Sequence, residues 1–249
     1  GGVGQVWRRD VAMSARLIAA LMRCLDERIG EAPTPEQLSR WVTARALFTF
    51  LYVFSLRGNE GLLADLKGLR EEYEAGRTHD PPYSTLALLG QFKGEQHRSQ
   101  HLMYSVDITG SGIQVRKSLS DLIALRCAEG RVDGPAICNS EGVQWTTAQA
   151  NEILHELLCS LFDRESTVFP SLISTHSDLL SKYHLFRSFR RASDSRAIAK
   201  GISLSDITVV NRWSKVEKAK GQRPTFEMSQ HYAQIDLLVD CFLRYTGAM

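Results

Sequence analysis

The stretch YHLFRS, residues 183–188, places a histidine and an arginine three positions apart. Residues three apart lie on the same face of a helix, so His184 and Arg187 can act together on one anion. A strongly basic segment begins at this stretch, and its next arginines are Arg190, Arg191 and Arg196. The spacing indicates either a phosphate site or two unrelated surface side chains, and the rest of the sequence has to decide between them.

The distribution of charge favours the phosphate site. Between Lys182 and Arg223, eleven lysines and arginines stand against three acids, a local balance of +8, whereas the whole chain of 249 residues carries only +2 and the remainder therefore −6. Such polarity favours the docking of a polyanion on the C-terminal third. The residues that we predict to contact phosphates are Arg190, Arg191, Arg196, Arg212 and Lys215. A solvated basic face is the alternative that charge alone leaves open.

Composition is that of a globular protein, with 43% hydrophobic and 23% charged residues. No apolar run approaches the roughly 20 residues of a membrane span. The chain opens GGVGQVWRRD, without an initiator methionine or an apolar signal core. We therefore predict a fragment or excised domain that works inside a cell and has no membrane partner.

The cysteines argue against a disulfide framework and against a metal site. There are five, an odd number, and none forms a C-x-x-C pair. Buried, reduced thiols are the expected state. His155 and Cys159 have the i, i+4 spacing that a metal can use, but no second pair of ligands accompanies them. The sequence predicts neither a metal nor a cofactor.

Two segments have the composition of strands, STLALLGQF (84–92) and HLMYSVDI (101–108), and TGSGIQVRK (109–117) is a candidate for a third short strand. Most other segments have helical patterns, among them those at 10–29, 59–69 and 185–200. The predicted fold class is therefore mainly α with a small antiparallel β-sheet, an α+β architecture.

Several helix starts are marked by capping residues. Thr34 precedes Pro35, a residue suited to the first turn of a helix. Thr146 and Gln149 have the spacing of a capping box. Ser203 begins the segment SLSDITVV, and its hydroxyl can accept a hydrogen bond from the first turn.

Two arginines are candidates for binding a phosphodiester. Its transition state concentrates negative charge on the non-bridging oxygens, and a guanidinium presents a fixed fork of donors to such oxygens. Arg57 lies at the glycine-rich break SLRGNEG, and Arg187 lies in the opening stretch. We predict that both bind the same phosphate.

Four further residues complete the predicted chemistry. Tyr232, in SQHYAQ, is the candidate nucleophile, and Lys93, in the hairpin QFKGE, is the candidate acid for the departing oxygen. His184 can assist proton transfer. Trp213 offers an indole N–H to a phosphate oxygen. Lys67 and Lys117 are rivals for the role of Lys93. The tyrosines that we expect to be less suitable are Tyr104, Tyr183 and Tyr245.

The order of these motifs resembles that of the tyrosine recombinases, the phage-integrase superfamily. An arginine in SLRGNEG, a hairpin lysine, HLFR, a tryptophan in NRWSK and a tyrosine in SQHYAQ follow in the family's order over residues 34–245. LRGNEG with a hairpin lysine looks especially like the Crypton-type transposon recombinases. The resemblance implies a catalytic domain at 34–249, and at 1–33 a helix that is the remnant of, or a linker to, a missing DNA-clamp domain.

The resemblance also implies a mechanism and partners. In this family the tyrosine attacks the scissile phosphate, forms a 3′-phosphotyrosyl link and releases a 5′-hydroxyl, without a high-energy cofactor. The implied partners are double-stranded DNA and further copies of the chain in a tetrameric synapse. The implied compartment is the nucleus for a eukaryotic transposon and the cytoplasm for a prokaryotic or phage enzyme.

Three alternatives stay open at this point. A type IB topoisomerase-like enzyme shares the chemistry but relaxes DNA alone. A domesticated relic binds DNA without cutting it. A helical protein-interaction domain requires that the ordered motifs arise by coincidence, with Trp213 and Tyr232 as ordinary packing residues.

Overall fold

The computed structural model of the chain describes residues 10–92, 97–211 and 235–249. Within these ranges the protein is mainly helical and has a sheet of two antiparallel strands, so the predicted fold class is confirmed. The elements are α1 (Ala15–Gly30), α2 (Pro35–Val53), α3 (Gly58–Gly61), α4 (Leu66–Glu71), β1 (Tyr83–Gly90), β2 (Ser99–Val106), α5 (Val115–Ala128), α6 (Thr147–Glu165), a 3-10 turn (Ser166–Val168), α7 (His176–Lys182), α8 (Ser188–Ala199), α9 (Leu204–Val210) and α10 (Ile235–Gly247).

Helix α2 forms the centre of the core, because every residue from Trp41 to Val53 is buried. A helix that is buried on all sides must be enclosed by other elements, and α1, α5 and α8 pack against it. Its start is the predicted one: the hydroxyl of Thr34 accepts a hydrogen bond from the N–H of Gln37 over 3.2 Å, and Pro35 lies in the first turn. The hydrophobic core is therefore built around helix α2.

Helix α1 belongs to the same hydrophobic core. Its residues Leu17, Leu21 and Leu25 are completely buried within it. Helix α1 packs on both α2 and α6. The division of the chain into segments 1–33 and 34–249 stays a prediction.

The predicted hairpin is present, but the predicted third strand is not found in the described part of the chain. Strands β1 and β2 pair in antiparallel register from Tyr83 opposite Val106 to Gly90 opposite Ser99. The segment 109–117 instead forms a tight turn, in which the N–H of Ile113 donates to the hydroxyl of Thr109, and α5 follows directly. These residues therefore form a turn and the start of α5 rather than a strand.

The segment 59–69 is divided between two short helices. Helix α3 ends at Gly61, and α4 begins after Asp65, whose carboxylate accepts a hydrogen bond from the N–H of Gly68 over 2.9 Å. The N–H of Asp65 is bonded to the carbonyl of Ala87 in β1. Helical hydrogen bonding is interrupted because this backbone pairs with the sheet.

Arg126 of α5 joins three parts of the fold from inside the core, where its side chain is 0% exposed. Its guanidinium donates to the carbonyls of Ala136 and Cys138, to the hydroxyls of Ser39 and Thr43, and to the carboxylate of Glu129. Five N–H donors thus have five acceptors, the condition under which a buried charge is tolerated.

Helix α10 brings the end of the chain back to the sheet. It packs against β2 and α9. The hydroxyl of Thr246 accepts from the N–H of Val106 over 3.1 Å, and the carbonyl of Gly247 accepts from the N–H of Gly110 over 3.0 Å. Among the described residues, no helix is long and apolar enough to cross a membrane.

Candidate functional site

Arg57 lies on a sharp turn that is organised by a buried acid. The residue caps α3, and its N–H donates to the carboxylate of Glu60 over 2.9 Å. Its guanidinium lies 3.8 Å from the same carboxylate, with the Arg57 side chain 30% exposed and that of Glu60 8% exposed. The turn therefore holds the partly exposed guanidinium of Arg57 beside the fixed carboxylate of Glu60. The sequence signal for Glu60 is its position three residues after Arg57, which is the spacing of a capping box.

The turn at Arg57 lies directly beside the turn that contains the HLFR motif. The N–H of Gly58 donates to the carbonyl of Phe186 over 3.3 Å. A Cβ atom on Gly58 would come within 3.1 Å of the backbone of Leu185, so the two turns meet closely. Arg57 and Arg187 are each the immediate neighbour of a residue in this hydrogen bond. Two arginines that are far apart in sequence thus lie on adjacent turns.

Arg187 stands at the start of α8 and is exposed. Its guanidinium carbon lies 5.8 Å from the centre of the Phe186 ring. Helix α8 begins at Ser188 rather than at Leu185, because residues 184–187 form a separate turn in which the carbonyl of His184 accepts from the N–H of Ser188 over 3.0 Å. A cation at the N-terminus of a helix adds to the positive end of the helix dipole, an arrangement that favours an anion there.

His184 is held on two sides. Its backbone N–H donates to the hydroxyl of Ser188 over 3.0 Å. Its ring nitrogen Nδ1 lies 3.0 Å from a carboxylate oxygen of Asp10, and the His184 side chain is 37% exposed. Sequence reasoning did not identify Asp10, because no local pattern connects residues that are 174 positions apart.

His155 of α6 contacts the residues at the start of the HLFR motif. Its Nε2 lies 2.6 Å from the carbonyl of Tyr183, and its ring centre lies 5.9 Å from that of His184. A carbonyl only accepts, so Nε2 carries the hydrogen. Burial lowers the pKa of His155 despite this hydrogen bond. Asn151, one turn earlier, accepts from the N–H of Leu185 over 2.9 Å.

No group of three or more histidines, cysteines, aspartates or glutamates capable of holding a metal occurs among residues 10–92, 97–211 and 235–249. His155, which has metal-ligand spacing to Cys159, instead makes the structural contact with Tyr183.

The basic residues of α8 do not all lie at the surface. The side chain of Arg190 is only 8% exposed and lies 3.8 Å from Glu60, and its guanidinium also donates to the carbonyl of Asn211 over 2.9 Å. This inward orientation does not suit the predicted phosphate contact of Arg190. Arg191 donates to the carbonyl of Asp10, and Arg196 to that of Ala248 over 3.3 Å, and both are half-buried.

A buried polar network ties the residues before Arg57 to the C-terminal elements. Ser55 adopts a positive φ of 52°, and its hydroxyl oxygen, which has one hydrogen to donate, lies 2.6 Å from the side-chain oxygen of Asn211 and 3.0 Å from the carboxylate of Asp194. The side-chain amide of Asn211 donates to Asp194 over 2.7 Å, and the hydroxyl of Tyr245 does so over 2.9 Å. The loop that contains Ser55, the end of α9 and helix α10 thus all contact the carboxylate of Asp194 in α8. The sequence contains no local signal for this cluster.

The remaining predicted site residues lie outside the described residues. They are Lys93, Arg212, Trp213, Lys215 and Tyr232. Asn211, the last described residue before four of them, is buried and bonded to Arg190.

Three alternative tyrosines occupy core positions. Tyr183 is completely buried, and burial raises its pKa to about 12. Tyr245 is equally buried, its hydroxyl bonds to Ser193 and Asp194, and burial is the main cause of its raised pKa. The ring of Tyr104 packs edge-on against those of Tyr83 and Phe242. All three side chains are therefore buried.

Comparison with known proteins gives a structural match. No protein-family model matches the sequence, and no curated protein matches it. The crystal structure of the XerH site-specific recombinase bound to its difH substrate, a pre-cleavage complex, matches with a TM-score of 0.50 and 12% sequence identity. The match covers 92% of this chain and 51% of the XerH chain, so this chain spans about half of that protein. The fold of the chain is similar to that of a tyrosine recombinase catalytic domain.

Proposed function

We propose that the chain is the catalytic domain of a tyrosine recombinase that cleaves and rejoins double-stranded DNA. The observation that carries this proposal is the hydrogen bond between Gly58 and Phe186, which sets the turns of Arg57 and Arg187 side by side. Two guanidiniums on adjacent turns can bind both non-bridging oxygens of one phosphodiester. The XerH structure, in which a recombinase of this fold is bound to DNA, supports the choice of partner.

In the proposed cleavage step, a bond forms between the phenolic oxygen of Tyr232 and phosphorus. The bond between phosphorus and the 5′ oxygen breaks, and Lys93 donates a proton so that this oxygen leaves as a hydroxyl. The phenolic proton passes to His184, and Trp213 donates its indole N–H to a non-bridging oxygen. Rejoining reverses these transfers when a 5′-hydroxyl of a partner strand attacks the phosphotyrosine.

The arginines supply the electrostatic part of the proposed mechanism. Charge that develops on the non-bridging oxygens is stabilised by donors that are already in position before the reaction. The buried carboxylate of Glu60 contributes by fixing the Arg57 turn, since it binds the N–H of that residue. Arg191, Arg196, Arg212 and Lys215 are proposed to hold the flanking phosphates. Such contacts bind DNA without reading its sequence.

The finer features of the proposal follow from the motif resemblance. They are assembly into a tetramer on DNA, action as a Crypton-type or phage-type enzyme, and residence in the nucleus or the cytoplasm accordingly. Strand exchange between two duplexes requires more than one active site, which is the reason for proposing self-association.

A trapped covalent adduct tests the proposed chemistry. The chain is incubated, in buffer that contains EDTA, with a pool of nicked duplexes whose sequence around the nick is randomised, because the target site is unknown. Loss of the short 5′-hydroxyl strand makes cleavage irreversible. We expect a protein–DNA adduct that survives denaturation, that maps to Tyr232 by peptide analysis, and that is absent in Tyr232→Phe.

Other outcomes of the same assay distinguish the alternatives. DNA retention without an adduct at any salt concentration would indicate a non-catalytic relic. An adduct accompanied by relaxation of supercoiled plasmid, with no joining between two duplexes, would indicate a topoisomerase-like enzyme. An adduct that persists in Tyr232→Phe would contradict the assignment of the nucleophile.

A further inference from the structure

Three hydrogen bonds attach the residues directly before α1 to the HLFR motif and to the residues that flank it. The N–H of Val11 donates to the carbonyl of Lys182 over 2.7 Å. The guanidinium of Arg191 donates to the carbonyl of Asp10. The third bond joins the carboxylate of Asp10 to Nδ1 of His184 over 3.0 Å. The first two bonds involve the backbone around Asp10, so they fix the place from which its carboxylate reaches His184.

This anchoring separates the pair from an ordinary surface ion pair. Two exposed side chains that meet in solvent contribute little, because holding them together costs conformational entropy. The Asp10 side chain is only 18% exposed, and its backbone is already held on both sides. The position of the carboxylate is therefore set by the fold before it meets the histidine.

The bond to Asp10 decides which nitrogen of His184 carries hydrogen. An ionised carboxylate only accepts, so Nδ1 is the donor. The neutral ring then has its lone pair on Nε2, the nitrogen that can take a proton. The ring of His155 faces His184 from α6, and its own hydrogen is committed to the carbonyl of Tyr183. Asp10 is accordingly the carboxylate that the structure sets against the His184 ring.

We propose that Asp10 is a positioning residue that fixes the tautomer and the orientation of His184, so that Nε2 of this histidine faces the reacting phosphate. The proposal rests on the proposed function for the role of His184, but the tautomer itself does not depend on it. It follows that Asp10, which lies shortly before α1, supports the candidate site.

Nuclear magnetic resonance of the histidine side chains tests the structural half of this proposal. The chain is labelled with ¹⁵N at histidine and measured at about pH 8.5, where ordinary histidines are neutral. We expect the His184 ring of the unchanged protein to carry its hydrogen on Nδ1. Asp10→Ala should shift the ring toward the Nε2–H tautomer, and Asp10→Asn, whose amide can donate to Nδ1, should do the same, whereas Asp10→Glu keeps a carboxylate acceptor and should retain the Nδ1–H form. Asp133→Ala, at an exposed aspartate, is the matched control.

Single-turnover adduct formation tests the functional half. Partners that orient metal-ligating histidines are worth about 10- to 100-fold, and by analogy we expect Asp10→Ala to slow the reaction by that factor. In a His184→Gln background the same substitution should have almost no further effect. An equal loss in both backgrounds would show that Asp10 merely supports the fold, and would overturn the proposal.

The two failures are distinguishable. An unchanged His184 tautomer in Asp10→Ala would refute the positioning role whatever the activity. A protein that forms no adduct at all, but shows the expected tautomer change, would contradict the proposed function and leave the Asp10–His184 pairing established. If Asp10→Ala does not fold, Asp10→Asn provides the test: a shift of the His184 ring toward the Nε2–H tautomer supports the proposal, and an unchanged Nδ1–H form counts against it.

Discussion

The N–H of Gly58 donates a hydrogen bond to the carbonyl oxygen of Phe186 over 3.3 Å. Residue 58 has no side chain, and this absence lets the Arg57 turn approach the backbone of Leu185. The fold uses the contact to bring together two arginines that are separated by more than half of the chain. The distance between these two turns is therefore the structural variable on which the proposed phosphate site depends.

A branched side chain at residue 58 should separate the turns. A Cβ atom there would lie 3.1 Å from the carbonyl carbon and oxygen of Leu185, so the further methyls of Gly58→Val cannot be accommodated without a shift of the backbone. We expect adduct formation to fall by at least about tenfold, and stability by about 1 to 3 kcal/mol, the usual cost of overpacking. Gly30→Val is the control, since a Cβ at residue 30 meets no atom within 4 Å. Equal effects of the two substitutions would contradict the role of this contact.

Removal of either arginine should affect the chemistry far more than the fold. The side chain of Arg57 is partly exposed and that of Arg187 is exposed, so neither contributes much to core packing. The loss of one preorganised donor costs on the order of 100-fold or more in rate, and we expect that loss in adduct formation for Arg57→Ala and for Arg187→Ala. Arg16→Ala, at an exposed arginine of α1, controls for the change of net charge. Near-normal adduct in either site variant would reject the assignment.

Local patterns predicted the elements well, because they depend on neighbouring residues. The capping box of Thr146 is present, and Ser203 caps its helix as predicted. Charge counting was a poorer guide to individual contacts. Arg190 belongs to the most basic segment of the chain, yet it points inward at Glu60, because a cation buried beside an anion is satisfied without solvent. Sequence order alone does not distinguish such a residue from one that binds phosphate.

The supporting residues of the candidate site could not be predicted for a different reason. Asp10 and His184 are joined only in the folded chain, and an aspartate before a helix has many ordinary uses. Ser55, Asn211 and Asp194 likewise form a network from three separate elements. The reacting groups have fixed types and order, whereas a group that holds them in place can come from any part of the fold.

Arg126 should be one of the most sensitive positions for stability. Substitution by methionine removes the buried donors to the carbonyls of Ala136 and Cys138, while the carboxylate of Glu129 keeps its bonds to Ser39 and Arg131. A buried acceptor that loses its donor costs about 1 to 3 kcal/mol, so urea unfolding of Arg126→Met should show a loss of at least that size. Lys67→Ala, which removes an exposed pair with Glu71, should cost less than about 1 kcal/mol. A small effect at Arg126 would mean that the surrounding acceptors find other donors.

The buried tyrosines give a prediction for alkaline pH. The pKa of Tyr183 is raised from 10.0 to about 12 by burial, so its folded state resists ionisation that the unfolded chain permits. Its contribution to stability is complete below pH 10.0 and is lost as the pH rises toward about 12. In Tyr183→Phe the free energy of unfolding should therefore fall less steeply between pH 10.0 and about 12 than it does in the unchanged protein. Unfolding measurements at a series of pH values check this. Its hydroxyl has no hydrogen-bond partner among the described residues, so the substitution should not destabilise the protein at neutral pH.

Tyr245→Phe is the informative comparison, because it removes a hydroxyl that does have partners. The hydroxyl of Tyr245 lies 2.8 Å from that of Ser193 and donates to Asp194 over 2.9 Å. Its removal from a buried network should cost about 1 to 3 kcal/mol at neutral pH. Both variants should still form the covalent adduct at a temperature where they are folded, since neither phenol is the proposed nucleophile. Loss of the adduct in folded Tyr245→Phe, with Tyr232→Phe still active, would transfer the nucleophilic role to the buried tyrosine and require α10 to move before cleavage.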